Sequence, residues 1–152
     1  MLRTLSTTLA LTAVAAATTT LVLGSPAGAA DDHFVLNAQL TGEQEDGAGD
    51  PDGKAKGQLK VNVATGEICY KIRARDVEEL TGGHIHEKAA GSNVGPVVVP
   101  FTKTGPTTFE GCTKMTEQTR AVALGLRDEP GEYYLNVHNM PYMGGALRAD
   151  LG

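Results

Sequence analysis

The chain has 152 residues, with 13 Lys and Arg against 18 Asp and Glu for a formal net charge of −5, and four Tyr, three Phe and no Trp. An acidic balance with no lysine or arginine run argues against nucleic acid as a partner, and so few aromatic rings argue against carbohydrate stacking. The length suits one domain with a real core.

Residues 1–30 begin with one positive charge at Arg3. They continue through an apolar, Ala/Thr/Leu-rich run from about Leu9 to Leu23 and close on small residues. That layout predicts a secretory signal peptide, since the run is too short and too threonine-rich for a membrane span. Cleavage is expected after Ala29 or Ala30, leaving a single domain over residues 31–152. Loss of Arg3 leaves 12 cations against 18 anions, a net of 12 − 18 = −6. No second apolar span follows, so the expectation is a secreted, extracytoplasmic protein with no membrane partner after signal removal.

The mature segment is dominated by period-two alternation, the signature of strands. "HFVLNAQL" sets Phe34, Leu36, Ala38 and Leu40 on one face, and the glycine- and aspartate-rich "TGEQEDGAGDPDG" that follows reads as an exposed loop. "KAKGQLKVNV" turns Leu59, Val61 and Val63 inward. After the short turn "ATGE", Ile68, Tyr70 and Ile72 share the inner face of "EICYKIRA". "PVVVPF" is a short strand bounded by prolines, which suits an edge or a bulge. "TTFEGCTK" is another strand, with Cys112 on its polar face. "TEQTRAVALGLRD" is the one helical candidate, with Thr116 as its cap and Val122, Ala123 and Leu126 on one side. "EYYLNVH" and "GGALRADLG" complete the set, with Tyr133, Leu135 and Val137, then Leu147, Ala149 and Leu151, inward. About eight short strands and one short helix predict an all-β antiparallel sandwich or Greek-key barrel.

Cys69 and Cys112 form an even pair in a chain bound for an oxidising compartment, so a structural disulfide is expected. In "GGHIHE", burying Ile85 turns His84 and His86 out of one face, roughly 6.5–7 Å apart at Cα. In "YYLNVH" the same logic turns Tyr134, Asn136 and His138 outward. If the two strands are neighbours, three imidazoles meet, a set suited to Zn(II) or Cu(II). Met140 and Met143, in "HNMPYM", offer sulfur beside His138 and favour copper, with zinc second. Cleavage after Ala30 would add an N-terminal site from the free amine, two amides and the third-position imidazole of His33, a square-planar set for Cu(II) or Ni(II). Cleavage after Ala29 would abolish it.

"LTGEQE", "GGHIHEKAAGSNVGPVVVP" and "GEYYLNVHNMPYMGGALRADL" together resemble the CHRD domain, named after chordin and common in bacterial secreted proteins, over about His33 to Leu151. The resemblance implies an immunoglobulin-like or Greek-key β fold, and it implies that His84, His86 and His138, which lie in the family's marked motifs, are close in space. It says little about activity. The family's aliphatic-proline pattern after the first strand is replaced here by "EDGAGDPDG", and the helical region is more charged. "GGHIHE" is also similar to the His-x-His strand of Cu/Zn superoxide dismutases, although shared architecture does not imply shared chemistry.

Three functions follow. The first is a secreted metal-binding protein, not an enzyme, that holds copper on surface histidines of adjacent strands. The second is an extracellular module that binds a protein or polysaccharide partner without metal. The third is a superoxide dismutase-like metalloenzyme, against which stands a total of four histidines, too few for a dinuclear copper–zinc site of the familiar kind.

Overall fold

The computed structural model describes residues 32–152, so the expected signal peptide, its cleavage point and Asp31 lie outside the described residues. In chain order the strands are β1 (His33–Thr41), β2 (Lys54–Asn62), β3 (Glu67–Arg75), β4 (Leu80–Glu87), β5 (Val97–Pro100), β6 (Lys103–Gly105) and β7 (Thr108–Cys112). Helix α1 (Glu117–Asp128) follows, then β8 (Tyr133–Asn139) and β9 (Leu147–Asp150). All nine strands lie in one curled antiparallel sheet, a half-barrel in the order β5-β4-β8-β9-β1-β2-β3-β7-β6. The expected all-β antiparallel fold is present, as a single curled sheet and not two stacked layers. The strand beyond the expected eight is β6, whose three residues are too few to give an alternating pattern.

Alternation builds the core. The burial of β2 switches at every residue, so Leu59 and Val61 are inside while Lys56 and Lys60 are outside. The same alternation buries Leu40, Ile68, Ile72, Ile85, Phe109, Leu135, Val137 and Leu147 on the concave face. Fully burying an aliphatic or aromatic side chain stabilises the fold by roughly 1.5–3 kcal/mol, which fixes the register of each strand. The segment between β5 and β6 draws the two ends of the sheet together. Phe101 N donates to Gly83 O on β4, and Glu110 N on β7 donates to Thr102 O. Tyr70 supports this bridge, with its ring 4.4 Å from that of Phe101 and its hydroxyl accepting from Thr102 N at 2.8 Å.

Thr116 caps α1 as its position predicts. Its Oγ1 accepts from Thr119 N at 3.1 Å, and Thr119 Oγ1 accepts in return from Thr116 N at 2.9 Å. The helix buries Val122, Ala123 and Leu126. Among the described residues no helix is long and apolar enough to cross a membrane.

The two cysteines are directly opposed in the β3–β7 ladder and form the expected disulfide, across a sequence separation of 43 residues. Cross-linking a loop of that size is worth about 3–4 kcal/mol in the chain-entropy account. A Cys69→Ala/Cys112→Ala double variant is expected to lose roughly that much in urea denaturation, while its far-ultraviolet spectrum stays that of the wild type.

Candidate metal centre

Ile85 is fully buried between His84 and His86, so both imidazoles leave β4 on its outer face. On β8 the burial of Leu135 and Val137 sends Tyr134, Asn136 and His138 to that same face. The two strands are hydrogen-bonded neighbours, with His84 opposite Asn136, His86 opposite Tyr134 and Gly82 opposite His138. A register shift between Leu80 and Gly82 brings the glycine into line. Gly82 adds no side chain between the rings: the centroids of His84 and His138 are 5.1 Å apart, and those of His84 and His86 are 5.5 Å apart. One ligand atom from each of His84, His86 and His138 lies within 4.8 Å of the others, so the expected convergence is present.

Backbone carbonyls hold two of the rings. His86 Nδ1 is 2.9 Å from Gly95 O, and His138 Nδ1 is 3.0 Å from Met143 O. A carbonyl only accepts, so both rings carry the proton on Nδ1 and leave Nε2 as a bare acceptor. Among the described residues, the buried side-chain nitrogen and oxygen atoms with no hydrogen-bond partner are His84 Nδ1, His86 Nε2, His138 Nε2 and Asn136 Oδ1. All four belong to this one patch of two strands.

Two loops roof the patch, which is why Tyr134 and Asn136 are buried despite facing outward. Residues 88–96 cross over β4 and β8. In that loop Gly95 N donates to Tyr134 Oη at 3.3 Å, and Arg148 Nη2 donates to Asn93 O at 2.7 Å. The Arg148 guanidinium sits 3.7 Å from the Tyr134 ring centroid, and Tyr134 stacks on His86 at 4.6 Å. Gly95 is required here, because a Cβ would overlap the backbone of Glu87 and Ala89. The second roof is the loop after β1, where Glu45 Oε1 accepts from Asn136 Nδ2 at 2.7 Å. Gly145 passes so close that a Cβ there would overlap the Glu45 carboxylate. Asp50 ties this loop to the β8–β9 turn: Asp50 N donates to Ala146 O at 2.8 Å. The same turn presents the Met143 carbonyl.

Met140 and Met143 follow β8 in the turn beside His138; the two residues are 67% and 72% exposed, and Met143 meets His138 through its main-chain oxygen. His33 opens β1 opposite Asn62 and is not in the cluster. Its expected amino-terminal site requires Asp31, outside the described residues. Glu45, Gly95, Asn93 and the burial of Arg148 were not foreseen, since no local pattern announces a loop folding over a strand. The close grouping of Glu67 with Cys69 and Cys112 is accounted for by the disulfide.

The sequence profile of the CHRD domain family matches residues 36–151. Among curated proteins and among solved structures nothing matches.

The environment sets the charge state of the cluster. Burial, then the neighbouring His138 and His86, pushes the His84 imidazole down to about 4. Burial also lowers His86 and His138, against the pull of their carbonyl partners. All three are therefore neutral at pH 7, the form that ligates metals. Burial pushes the Glu45 carboxyl the other way, up to about 7, against the charge of Arg148 and the hydrogen bond from Asn136. In the metal-free protein the unfolded histidines take protons near 6.5 that the folded cluster refuses, so stability falls as pH drops below 6.5. Glu45 opposes this: between 7 and 4.5 the folded state holds a proton that the unfolded state has released, so acidification stabilises. The urea midpoint of metal-free Glu45→Gln is expected to fall further between pH 7 and pH 5 than that of the wild type. Equal falls would show that Glu45 stays ionised in the fold.

Proposed function

The chain belongs to the CHRD domain family, and we propose that this member is a secreted metal-binding protein that holds one copper ion, with zinc the second choice, on His84, His86 and His138. One observation carries this reading: the three rings converge, with one ligand nitrogen of each within 4.8 Å of the others, and each ring has a buried nitrogen without a hydrogen-bond partner. Leaving buried acceptors unpaired costs about 1–3 kcal/mol each, and one cation would answer all three. Three imidazoles with an open fourth position suit Zn(II) or Cu(II), and the Irving–Williams order favours copper. Since the thioethers of Met140 and Met143 are exposed, the preference for copper rests on the imidazoles. The carbonyls of Gly95 and Met143 are the kind of outer partner that fixes the ring and tautomer of a ligating histidine. The Cys69–Cys112 disulfide supports an oxidising, extracytoplasmic setting.

We read the protein as a carrier or buffer of the ion and not as an enzyme. Three of the four histidines converge and His33 is on another strand, so they do not make up the histidine set of a dinuclear copper–zinc site.

Chelator-treated protein, titrated with Cu(II) and with Zn(II) and observed by native mass spectrometry, is expected to take one ion per chain, with copper displacing zinc. His84→Ala, His86→Ala and His138→Ala are each expected to weaken copper binding at least 100-fold, and Met140→Ala and Met143→Ala to leave it unchanged. Gly95→Ala, which displaces the carbonyl on His86, is expected to cost about 10–100-fold. A protein that stays metal-free in excess Cu(II) would overturn the reading.

A further inference from the structure

Positive charge in this acidic chain is concentrated on one sheet face, away from the histidines. With Leu59, Val61, Ile68 and Ile72 turned inward, β2 presents Lys54, Lys56, Gln58 and Lys60 outward, and β3 presents Lys71, Arg73 and Arg75. Six of the 13 lysines and arginines of the whole sequence thus share two adjacent strands. Register aligns like with like: Lys54 stands opposite Arg75, and Lys56 opposite Arg73.

An ordinary solvated face mixes its signs, because like charges directly opposite one another destabilise a sheet. Relief is partial here. Lys71 pairs with Glu110 at 3.0 Å and Arg75 with Asp76, whereas Lys54, Lys56, Lys60 and Arg73 have no ion pair among the described residues. A groove of ≈ 580 Å³ runs over this face and extends to β1. Its neutral polar lining includes Asn37, Gln39 and Gln58, with Gln58 Nε2 donating to Asn37 Oδ1 at 3.0 Å. No Phe, Tyr or Trp lines it.

We propose that the face of β2 and β3 is a binding site for a linear polyuronate, an acidic polysaccharide with carboxylates on successive sugars. Lys54 and Lys56 on β2, and Lys71, Arg73 and Arg75 on β3, are spaced about 6.6–6.8 Å along the strand and roughly 4.8 Å across, a ladder that answers a polymer of repeating charges better than a lone anion. The Arg73 fork, which has no ion pair, matches a carboxylate, and the amides of Asn37, Gln39 and Gln58 offer hydrogen bonds to sugar hydroxyls. A single-stranded nucleic acid would want aromatic platforms for its bases, and this groove has none. Recognition by charge also removes the objection that so few aromatic rings raise against carbohydrate. The site lies beyond β8, β9 and β1 from β4 and stands independently of the metal reading.

The test is fluorescence anisotropy of a labelled oligogalacturonate with the mature protein. Binding is expected at about 50 mM salt and is expected to weaken at least tenfold by about 300 mM, as screening of exposed charges requires. Lys56→Glu and Arg73→Glu are each expected to lose at least tenfold in affinity, and Arg120→Glu, an equal change of charge on the exposed side of α1, less than twofold. Each strand variant replaces a repelling cross-strand pair by an attracting one, so its melting temperature is expected to be no lower than the wild type's. A loss of binding is then not a loss of fold. The proposal is overturned if the oligogalacturonate does not bind at about 50 mM salt, if Arg120→Glu loses as much as Lys56→Glu, or if single-stranded DNA or a sulfated glycan of equal charge binds more tightly.

Discussion

The antiparallel register that sets His84 against Asn136 and Gly82 against His138 decides where three imidazoles meet, and the core enforces it. Sliding β4 by one residue along β8 would expose Ile85 and drive His84 and His86 inward, because strand side chains alternate with a period of two. Ile85, Leu135 and Val137 are all fully buried, and losing the burial of even one costs roughly 1.5–3 kcal/mol. The hydrophobic pattern that makes the sheet therefore also places the ligands. The irregularity between Leu80 and Gly82 completes the set by giving His138 a neighbour with no side chain.

What turns an outward-facing patch into a site is the roof. Residues 88–96 and the loop after β1 fold over β4, β8 and β9, and they exclude water from side chains that alternation alone would leave wet. The stack of His86, Tyr134 and Arg148 joins the histidine cluster to this cover, and the guanidinium is held by Asn93 O and Asp150. Without the roof, the unpaired nitrogens would be hydrated and would have no need of a cation. With it, burial keeps the imidazoles neutral and raises the Glu45 carboxyl to about 7.

Net charge conceals how differently the two parts of the outer face are built. At β4 and β8 the titratable groups are driven toward their uncharged forms by loss of water. At β2 and β3 the charges remain in solvent and are aligned by register into a ladder. Desolvation governs the first region and Coulombic repulsion the second, so salt should act mainly on the ladder.

The sequence by itself determined most of the strands, the helix with its Thr116 cap, and the disulfide partners, because hydrophobic alternation, capping chemistry and an even cysteine pair are local or compositional signals. It also put His84, His86 and His138 on polar faces, and resemblance to the CHRD domain brought them together. A basic patch, however, needs no basic run: strand alternation spaces Lys54 from Lys56 and Arg73 from Arg75 by two residues, and only lateral pairing makes the two pairs neighbours. Met140 and Met143 lie near His138 in sequence, and the turn exposes both residues while it sets the carbonyl of Met143 against the His138 ring. Glu45 and Gly95 acquired their places only from loops that close over the sheet. Such closure depends on contacts between residues far apart in the chain, such as Glu45 with Asn136, which no periodicity encodes. The tertiary structure alone decided which polar residues lose their water, and burial is what changes their chemistry.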